Sequence, residues 1–577
     1  MNRGKYAVAA ALLSLVAVLR VVGTYRVTAQ AFDEPCHVSS AIELLDKRTY
    51  TLDAYNTPLA RIGIGLPLYL AGERYPQMPL DDPNSHNYNY VGNQVLYGDG
   101  HYLRNLTLAR CGILPFLVLC AGVVFLWARR EFGDFAAVMA VALFTTIPSI
   151  LAFSSIAYSD MAPAFAQSAA LFAFATWLDK PSKKTCVWMG ITAGLALLAK
   201  FTTLAYLPAA GAAIVLGRWL VGRHERLPQA ATRRHSLRQV ASALLIAVAV
   251  IWAGYGFSTG RVQESMQLSP QSMPSFQHFP GPLRPLARNL VLSNPAIPAP
   301  GLFHGIALAY AFNNQAPPSY FRGRIQRGGW WYFFLVDLAL KAPLPFLLLS
   351  VAGFVALAGV ARRKQWTPLV PGLSVLAILL ATTTVKVYYG IRHVIVLFPL
   401  LAIVAGCGAA YLWQLQGSRR VWGRALLIGL LLWQGVSTVA ARHDYIAYFN
   451  ELAGQDPSRI FVAGCDLDCG QDLFRLAEEL HAKHISNPSI AIWTSADVSQ
   501  SGLPPFRIPE PFKPVTGWFA VSLRAQRMGD FFHSSYPGAF AWLDQYRPVE
   551  RIGKTILLYY IPENGTGGQP TAPNQGK

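Results

Sequence analysis

The sequence predicts a mainly α-helical, polytopic membrane protein. We expect about eleven transmembrane helices, large outer loops and a small C-terminal α/β extracytoplasmic domain. Three observations predict this fold class. Long apolar runs recur along the 577 residues, and a run of roughly 18 or more is long enough to cross a bilayer. Charged residues make up only 14% of the chain, against about 25% in a typical soluble domain. The basic excess behind the net charge of +19 gathers in the short segments between the runs.

The spans fall near 6–24, 106–128, 135–153, 161–178, 186–199, 202–217, 239–257, 343–361, 368–384, 394–413 and 425–441. The pair at 186–217 is short in each half, and a single long tilted helix is its alternative. Ala29-Gln30-Ala31 resembles a signal-peptide cleavage site, but Arg20 interrupts the apolar region before it, so the first span is expected to be retained. With a cytoplasmic N-terminus, the inner segments 1–5, 129–134, 179–185, 218–238, 362–366 and 414–424 hold 19 Lys/Arg and 4 Asp/Glu. The outer segment 25–104 holds 6 and 9, and the tail 442–577 holds 12 and 14. The basic excess is therefore a topology signal rather than a nucleic-acid footprint, and an odd span count leaves the C-terminal tail outside.

Three outer segments are too long to be simple connectors. In 25–104, the stretches Val38–Leu45 and Ala60–Leu70 are amphipathic and suited to the membrane surface. Segment 258–342 is proline-rich, with ten prolines in 258–330, which predicts an irregular ordered loop. Residues 442–563 read as a soluble α/β cap, with a helix at Gln471–Lys483 and strands at Ser489–Thr494, Gly517–Leu523 and Thr555–Ile561. Residues 564–577 are rich in Gly, Pro, Asn and Gln and read as disordered. The domains are thus a transmembrane region 1–441 (outer loops 25–104 and 258–342), the cap and the tail.

Cys111, Cys120, Cys186 and Cys407 lie in predicted spans as small apolar residues, and Cys36, Cys465 and Cys469 lie outside. The spacing of Cys465 and Cys469 leaves open whether they pair. No metal-ligand spacing appears. No Walker loop, dinucleotide fingerprint or kinase motif occupies an inner segment, so a substrate delivered through the lipid fits better than a cytosolic nucleotide.

The polar chemistry lies at the outer edge. Asp33 and Glu34 follow the first span, where low dielectric and a second carboxylate favour a general base; a solvated turn or helix cap is the plainer alternative. Asp160 occupies a short outer turn. Among the outer groups able to carry positive charge, Lys200, Lys341, Lys386, Arg392 and His393 lie beside apolar or aromatic runs, and a cation at membrane depth is costly unless paired or lining a cavity. Lipid phosphate is the natural anionic ligand for such groups, with interfacial snorkelling as the alternative for any single one.

These residues resemble the polyprenyl-phosphate-sugar-dependent glycosyltransferases of the GT-C fold, which include the protein O-mannosyltransferases and the bacterial enzyme that adds aminoarabinose to lipid A. Phe32-Asp33-Glu34-Pro35-Cys36-His37 resembles the family's Asp-Glu-x-x-His opening of the first outer loop. Asn56-Thr57-Pro58-Leu59-Ala60-Arg61 is similar to its His-Pro-Pro-Leu-Ala-Lys, with Asn-Thr in place of His-Pro. Ser159-Asp160 resembles its Thr-Asp turn, and Leu198-Ala199-Lys200-Phe201-Thr202 its Thr-Lys-Phe-Thr. Gly328-Gly329-Trp330-Trp331-Tyr332 with Lys341-Ala342-Pro343 resembles its Trp-Tyr-Tyr…Lys-Thr-Pro block. Tyr448-Phe449-Asn450-Glu451-Leu452-Ala453-Gly454 and Asp468-Cys469-Gly470-Gln471-Asp472-Leu473 are similar to motifs of a bacterial branch. There Cys469 stands for Trp, and Gly464-Cys465-Asp466 for Asp-Ser-Asn.

The resemblance implies a membrane glycosyltransferase that moves a sugar from a polyprenyl-phosphate donor to a hydroxyl acceptor at the outer face of a bacterial plasma membrane, with inversion. It makes Asp33 the catalytic base. Glu34 and Asp160 are expected to shape the acceptor site, and Arg61, Lys200, Arg392 and His393 to bind the donor phosphate. The expected partners are that donor, a glycan, lipid or protein acceptor, and the bilayer, with no nucleic acid. No cofactor is required; a divalent metal is compatible with the chemistry but demanded by no ligand pattern. A transporter or flippase of lipid-linked sugars is the non-enzymatic alternative, and internal repeats would favour it, but none is seen. An oligosaccharide polymerase or ligase is the other alternative, separated by product size.

Overall fold

The structure, a computed structural model, describes residues 3–563 apart from 79–81, 83, 85, 222–229, 266–280, 282–283 and 463. The expected tail 564–577 lies outside the described residues.

Among the described residues, seven helices are long and apolar enough to cross a bilayer: Gly4–Val22, the 43-residue stretch Tyr102–Phe144, Met161–Asp179, Thr203–Val221, Leu237–Gly254, Leu344–Arg362 and Arg419–Ala440. Three shorter apolar helices accompany them at Pro58–Leu70, Thr367–Thr382 and Leu397–Trp413. The expected spans thus exist as helices, but breaks in the chain make several of them shorter than the apolar runs suggest. The run 135–153 is interrupted at 145–147, ahead of Pro148, and continues as Pro148–Ser155. The last span before the cap is Arg419–Ala440, whose outward face carries exposed Val421, Trp422, Leu432 and Val436, as a lipid-facing helix should. In contrast, Leu397–Trp413 is buried along almost its whole length between Leu114–Phe144 and Leu344–Arg362 and forms the axis of the core.

The ambiguous pair at 186–217 is two helices, Lys183–Ala199 and Thr203–Val221. Lys200 sits in the break with extended backbone, which turns its side chain out of both helical faces. The membrane-surface expectation for Val38–Leu45 is corrected. Every residue of the helix Glu34–Ile42 is buried, packed between Tyr88–Tyr97 and Pro58–Leu70. The described part of the proline-rich segment is also more regular than expected. Pro300 opens the helix Pro300–Gln315, where a missing N–H costs nothing, and short hairpins pair Thr259–Arg261 with Ala296–Pro298 and Ser319–Phe321 with Arg324–Gln326.

The C-terminal region holds a four-stranded sheet in the order Ser489–Ala491, Gly517–Ser522, Ile556–Ile561, Glu550–Ile552. The first two strands are parallel and the others antiparallel. The helix Leu473–Ala482 packs on one face through Leu473, Leu476 and Leu480. Phe519, Phe531, Phe540 and Leu557 form a second cluster. The predicted helix and three strands are present, and Glu550–Ile552 adds an edge strand.

Candidate active site

Asp33 is the N-cap of Glu34–Ile42, yet its side chain makes no cap hydrogen bond. Its backbone N–H donates to Tyr158 Oη at 2.8 Å. The carboxylate is one-third exposed, and Arg392 Nη1 donates to its Oδ2 at 2.7 Å. Arg392 lies in the single 3₁₀ turn Ile391–Val394, reached through Gly390 at φ 78°. The guanidinium lies over the Tyr158 ring, 4.7 Å from its centroid, and its Nε donates to Asp160 Oδ2 at 3.0 Å.

Asp160 is fully buried at the start of Met161–Asp179. Its second oxygen accepts from Lys200 Nζ at 2.6 Å. Burial pushes the Asp160 carboxyl up, but Arg392 and Lys200 outweigh it and hold the group at about 2, so it stays ionised. Burial also lowers Lys200 from the ordinary lysine value, with Asp160 opposing. The result is a continuous chain of alternating charge, Asp33–Arg392–Asp160–Lys200, with one end open to solvent. Four segments far apart in sequence meet there.

His393 is next to this chain, beside the rings of Phe334 and Tyr389. Burial, then Lys200 and Arg392, push its pKa well below the usual imidazole value, so it is neutral here and offers hydrogen bonds rather than charge.

Two of the expected residues lie outside this chain. Glu34 is fully buried, and both of its oxygens face Arg110, with Nε–Oε1 and Nη2–Oε2 each 2.8 Å. The backbone N–H groups of Ala31 and Ala157 complete the shell at 2.8 and 2.7 Å. This carboxylate therefore ties the first loop to the 157–160 turn, one residue from Asp33 on one side and three from Asp160 on the other. Arg61 is also fully buried and is ion-paired with Asp53, with Tyr50 Oη 2.7 Å from its Nη1. It is thus separate from the four-residue chain.

Asp53 also meets Cys36 and His37. A thiol, an imidazole and a carboxylate lie here with ligand atoms all within 4.8 Å of one another. Asp53 already accepts from Asn56 Nδ2 at 3.0 Å as well as from Arg61. Burial, then Arg61, lowers His37 to about 4, and neither ring nitrogen has a protein hydrogen-bond partner. Lys341 is buried and donates to the carbonyls of Ile446 and Asp466 at 2.8 and 2.6 Å, holding the C-terminal region down.

Tyr158, Arg110 and Asp53 escaped the sequence reading. Arg110 carried a signal: it is a charge inside the apolar run 106–128, and such a charge needs a partner.

Residues 107–252 match the dolichyl-phosphate-mannose-protein mannosyltransferase family. That stretch contains Asp160 and Lys200, and over it the motif resemblance is borne out. In fold, the chain is similar to the ArnT of Cupriavidus metallidurans bound to undecaprenyl phosphate. The identity is 12% and the TM-score 0.43, over 97% of this chain and 99% of that one. The apo form of the same protein gives 13% and 0.46, over 95% and 97%. The oligosaccharyltransferase of Archaeoglobus fulgidus gives 12% and 0.47, over 97% of this chain and 75% of that one. No curated protein matches the chain by sequence.

Proposed function

We propose that the protein is a membrane glycosyltransferase that transfers a sugar from a polyprenyl-phosphate donor to a hydroxyl acceptor. The observation that carries this reading is the charge chain: a partly exposed carboxylate held by a guanidinium that is itself anchored on a buried, ionised aspartate. The family match over residues 107–252 supports the glycosyltransferase class.

In this reading Asp33 is the general base. The acceptor oxygen attacks the anomeric carbon while its proton passes to Asp33. The bond from that carbon to the phosphate oxygen breaks, its electron pair stays on the oxygen, and polyprenyl phosphate leaves. A single displacement inverts the anomeric centre. Arg392 and Lys200 stabilise the negative charge that grows on the leaving phosphate, a role usually worth more than any other single effect. Arg392 has a second duty. Before donor binds, its Nη1 occupies Asp33; an arriving phosphate draws that nitrogen away while Nε stays on Asp160. Donor binding thereby frees the base. Asp160 acts through these two cations, Glu34 fixes the loop that carries Asp33, and Arg61 supports the same loop through Asp53. No metal is needed, because the cationic charge comes from side chains. A divalent ion, if taken up, finds its donors at Cys36, His37 and Asp53.

The charge pattern of the sequence supports a cytoplasmic N-terminus, with the site and residues 442–563 on the periplasmic side of the inner membrane. There the C-terminal region caps the site, and the acceptor is a glycan, lipid or protein hydroxyl of the cell envelope. The test is wild-type protein in lipid with a panel of labelled polyprenyl-phosphate sugars and hydroxyl acceptors. Sugar-dependent release of polyprenyl phosphate with a glycosylated product is expected; transbilayer movement of intact donor without release would reverse the reading.

A further inference from the structure

Cys465 and Cys469 form a disulfide that closes a five-residue loop, and both cysteines are buried. Cys465 has φ 65°, in the left-handed region that a residue with a Cβ rarely adopts, so the loop is held by its surroundings rather than by its own preference. The surroundings are the two catalytic segments. On one side, Phe32 N–H donates to the Cys469 carbonyl at 3.0 Å, one residue from Asp33. On the other, Ile391 N–H donates to Asp466 Oδ1 at 2.9 Å, one residue from Arg392.

The fit on the Arg392 side is close. Gly390 has φ 78°, and a Cβ there would lie 2.0 Å from the Asp466 carboxylate. Gly464 has φ 72°, and a Cβ there would lie 2.2 Å from the Tyr389 carbonyl carbon. Two glycines therefore allow the loop and the 389–391 turn to nest. Between the two sides stands Tyr158. Its hydroxyl accepts the Asp33 N–H and lies 3.2 Å from each sulfur of the disulfide. Lys341 Nζ fixes the loop from below through the Asp466 carbonyl.

We infer that the disulfide-closed loop 465–469 is a positioning element that sets Asp33 and Arg392 in register across the site. This inference rests on the function proposed above. Neither end of the loop touches the reacting groups; each holds the residue beside one of them. The C-terminal region thereby contributes to turnover through this loop, beyond covering the site.

The experiment uses the full chain in lipid and compares wild type with the double variant Cys465→Ser/Cys469→Ser. Donor kcat and KM are measured together with hydrogen exchange at 31–34 and 389–393. The double variant is expected to lose roughly 10- to 100-fold in kcat, the scale set by small misplacements of reacting groups, with little change in donor KM. Exchange should rise at both segments while the sheet at 489–561 stays protected. Asp466→Asn retains an oxygen for the Ile391 N–H and should keep the wild-type rate, whereas Asp466→Ala should fall with the double variant. A double variant with wild-type kcat and wild-type exchange at both segments would overturn the inference. If wild type shows no transfer with any donor, the proposed function fails, and the exchange data still decide whether the loop sets the two segments.

Discussion

Removing the Arg392 guanidinium probes the site at its centre. In Arg392→Ala, Asp160 loses one of its two cations but keeps Lys200 at 2.6 Å. Orphaning a buried charge costs about 3–5 kcal/mol. Here the charge is only half orphaned, so the cost should fall below that range. The Asp33 arm is one-third exposed, so water screens it and it adds about 0–1 kcal/mol. Together the folded state should lose about 1–3 kcal/mol, small enough for the protein to remain folded. Turnover should suffer more. Deleting one group aimed at developing charge costs about 10²–10³ in rate. Arg392→Lys should recover only part of this, because one ammonium cannot reproduce two arms directed at two carboxylates 2.7 and 3.0 Å away. The assay is release of labelled polyprenyl phosphate by protein in lipid, with thermal unfolding followed in parallel. A folded Arg392→Ala enzyme with the wild-type rate would show that the guanidinium does not stabilise the leaving phosphate.

Glu34→Gln should destabilise the protein by about 3–5 kcal/mol, because it leaves fully buried Arg110 without its counter-charge; a melting temperature close to wild type would contradict this. Burial raises Asp468 to about 6, with hydrogen bonds from the Arg524 and Gly470 N–H groups opposing. A carboxyl raised on folding adds stability that is complete below its unfolded value of about 4 and lost as pH rises through about 6. The Asp468 contribution to melting temperature should therefore fall from pH 4 to pH 7, while neutral buried His37 and His393 act in the opposite direction, so Asp468→Asn, which mimics the protonated group, should gain stability relative to wild type as pH rises through that range. Transfer should survive chelation by EDTA. Activity lost on chelation, restored by a divalent ion and absent in His37→Ala would instead assign a metal to Cys36, His37 and Asp53.

The charged residues of the candidate site were easier to find in the sequence than the pairings they make. Lys200 was legible because a lysine between two apolar runs needs a partner, and the partner is Asp160. Asp33 was legible from its motif and Arg392 as an outer cation beside an apolar run, but they are 359 residues apart and only tertiary packing joins them. Glu34 shows the limit. Beside Asp33 it looks like a second site carboxylate, yet the first turn of the helix directs it to Arg110, hidden in an apolar run. The helix Glu34–Ile42 shows the same limit at the level of the fold. A moderate apolar stripe suits a membrane surface and a protein interior equally, and the burial of Ser39 and Ser40 is settled by neighbours that come later in the chain. The Cys465–Cys469 pairing was likewise beyond reach, since a spacing of four does not fix the backbone between the two residues.

The proposed role of Asp33 as the base of a lipid-linked sugar transfer is decided by comparing wild type with Asp33→Asn in lipid, with donor and acceptor both supplied, and following polyprenyl phosphate release. A positioned base contributes roughly 10²–10⁴-fold, so the folded variant should fall by that factor while still binding donor. An Asp33→Asn enzyme that turns over at the wild-type rate would contradict the account.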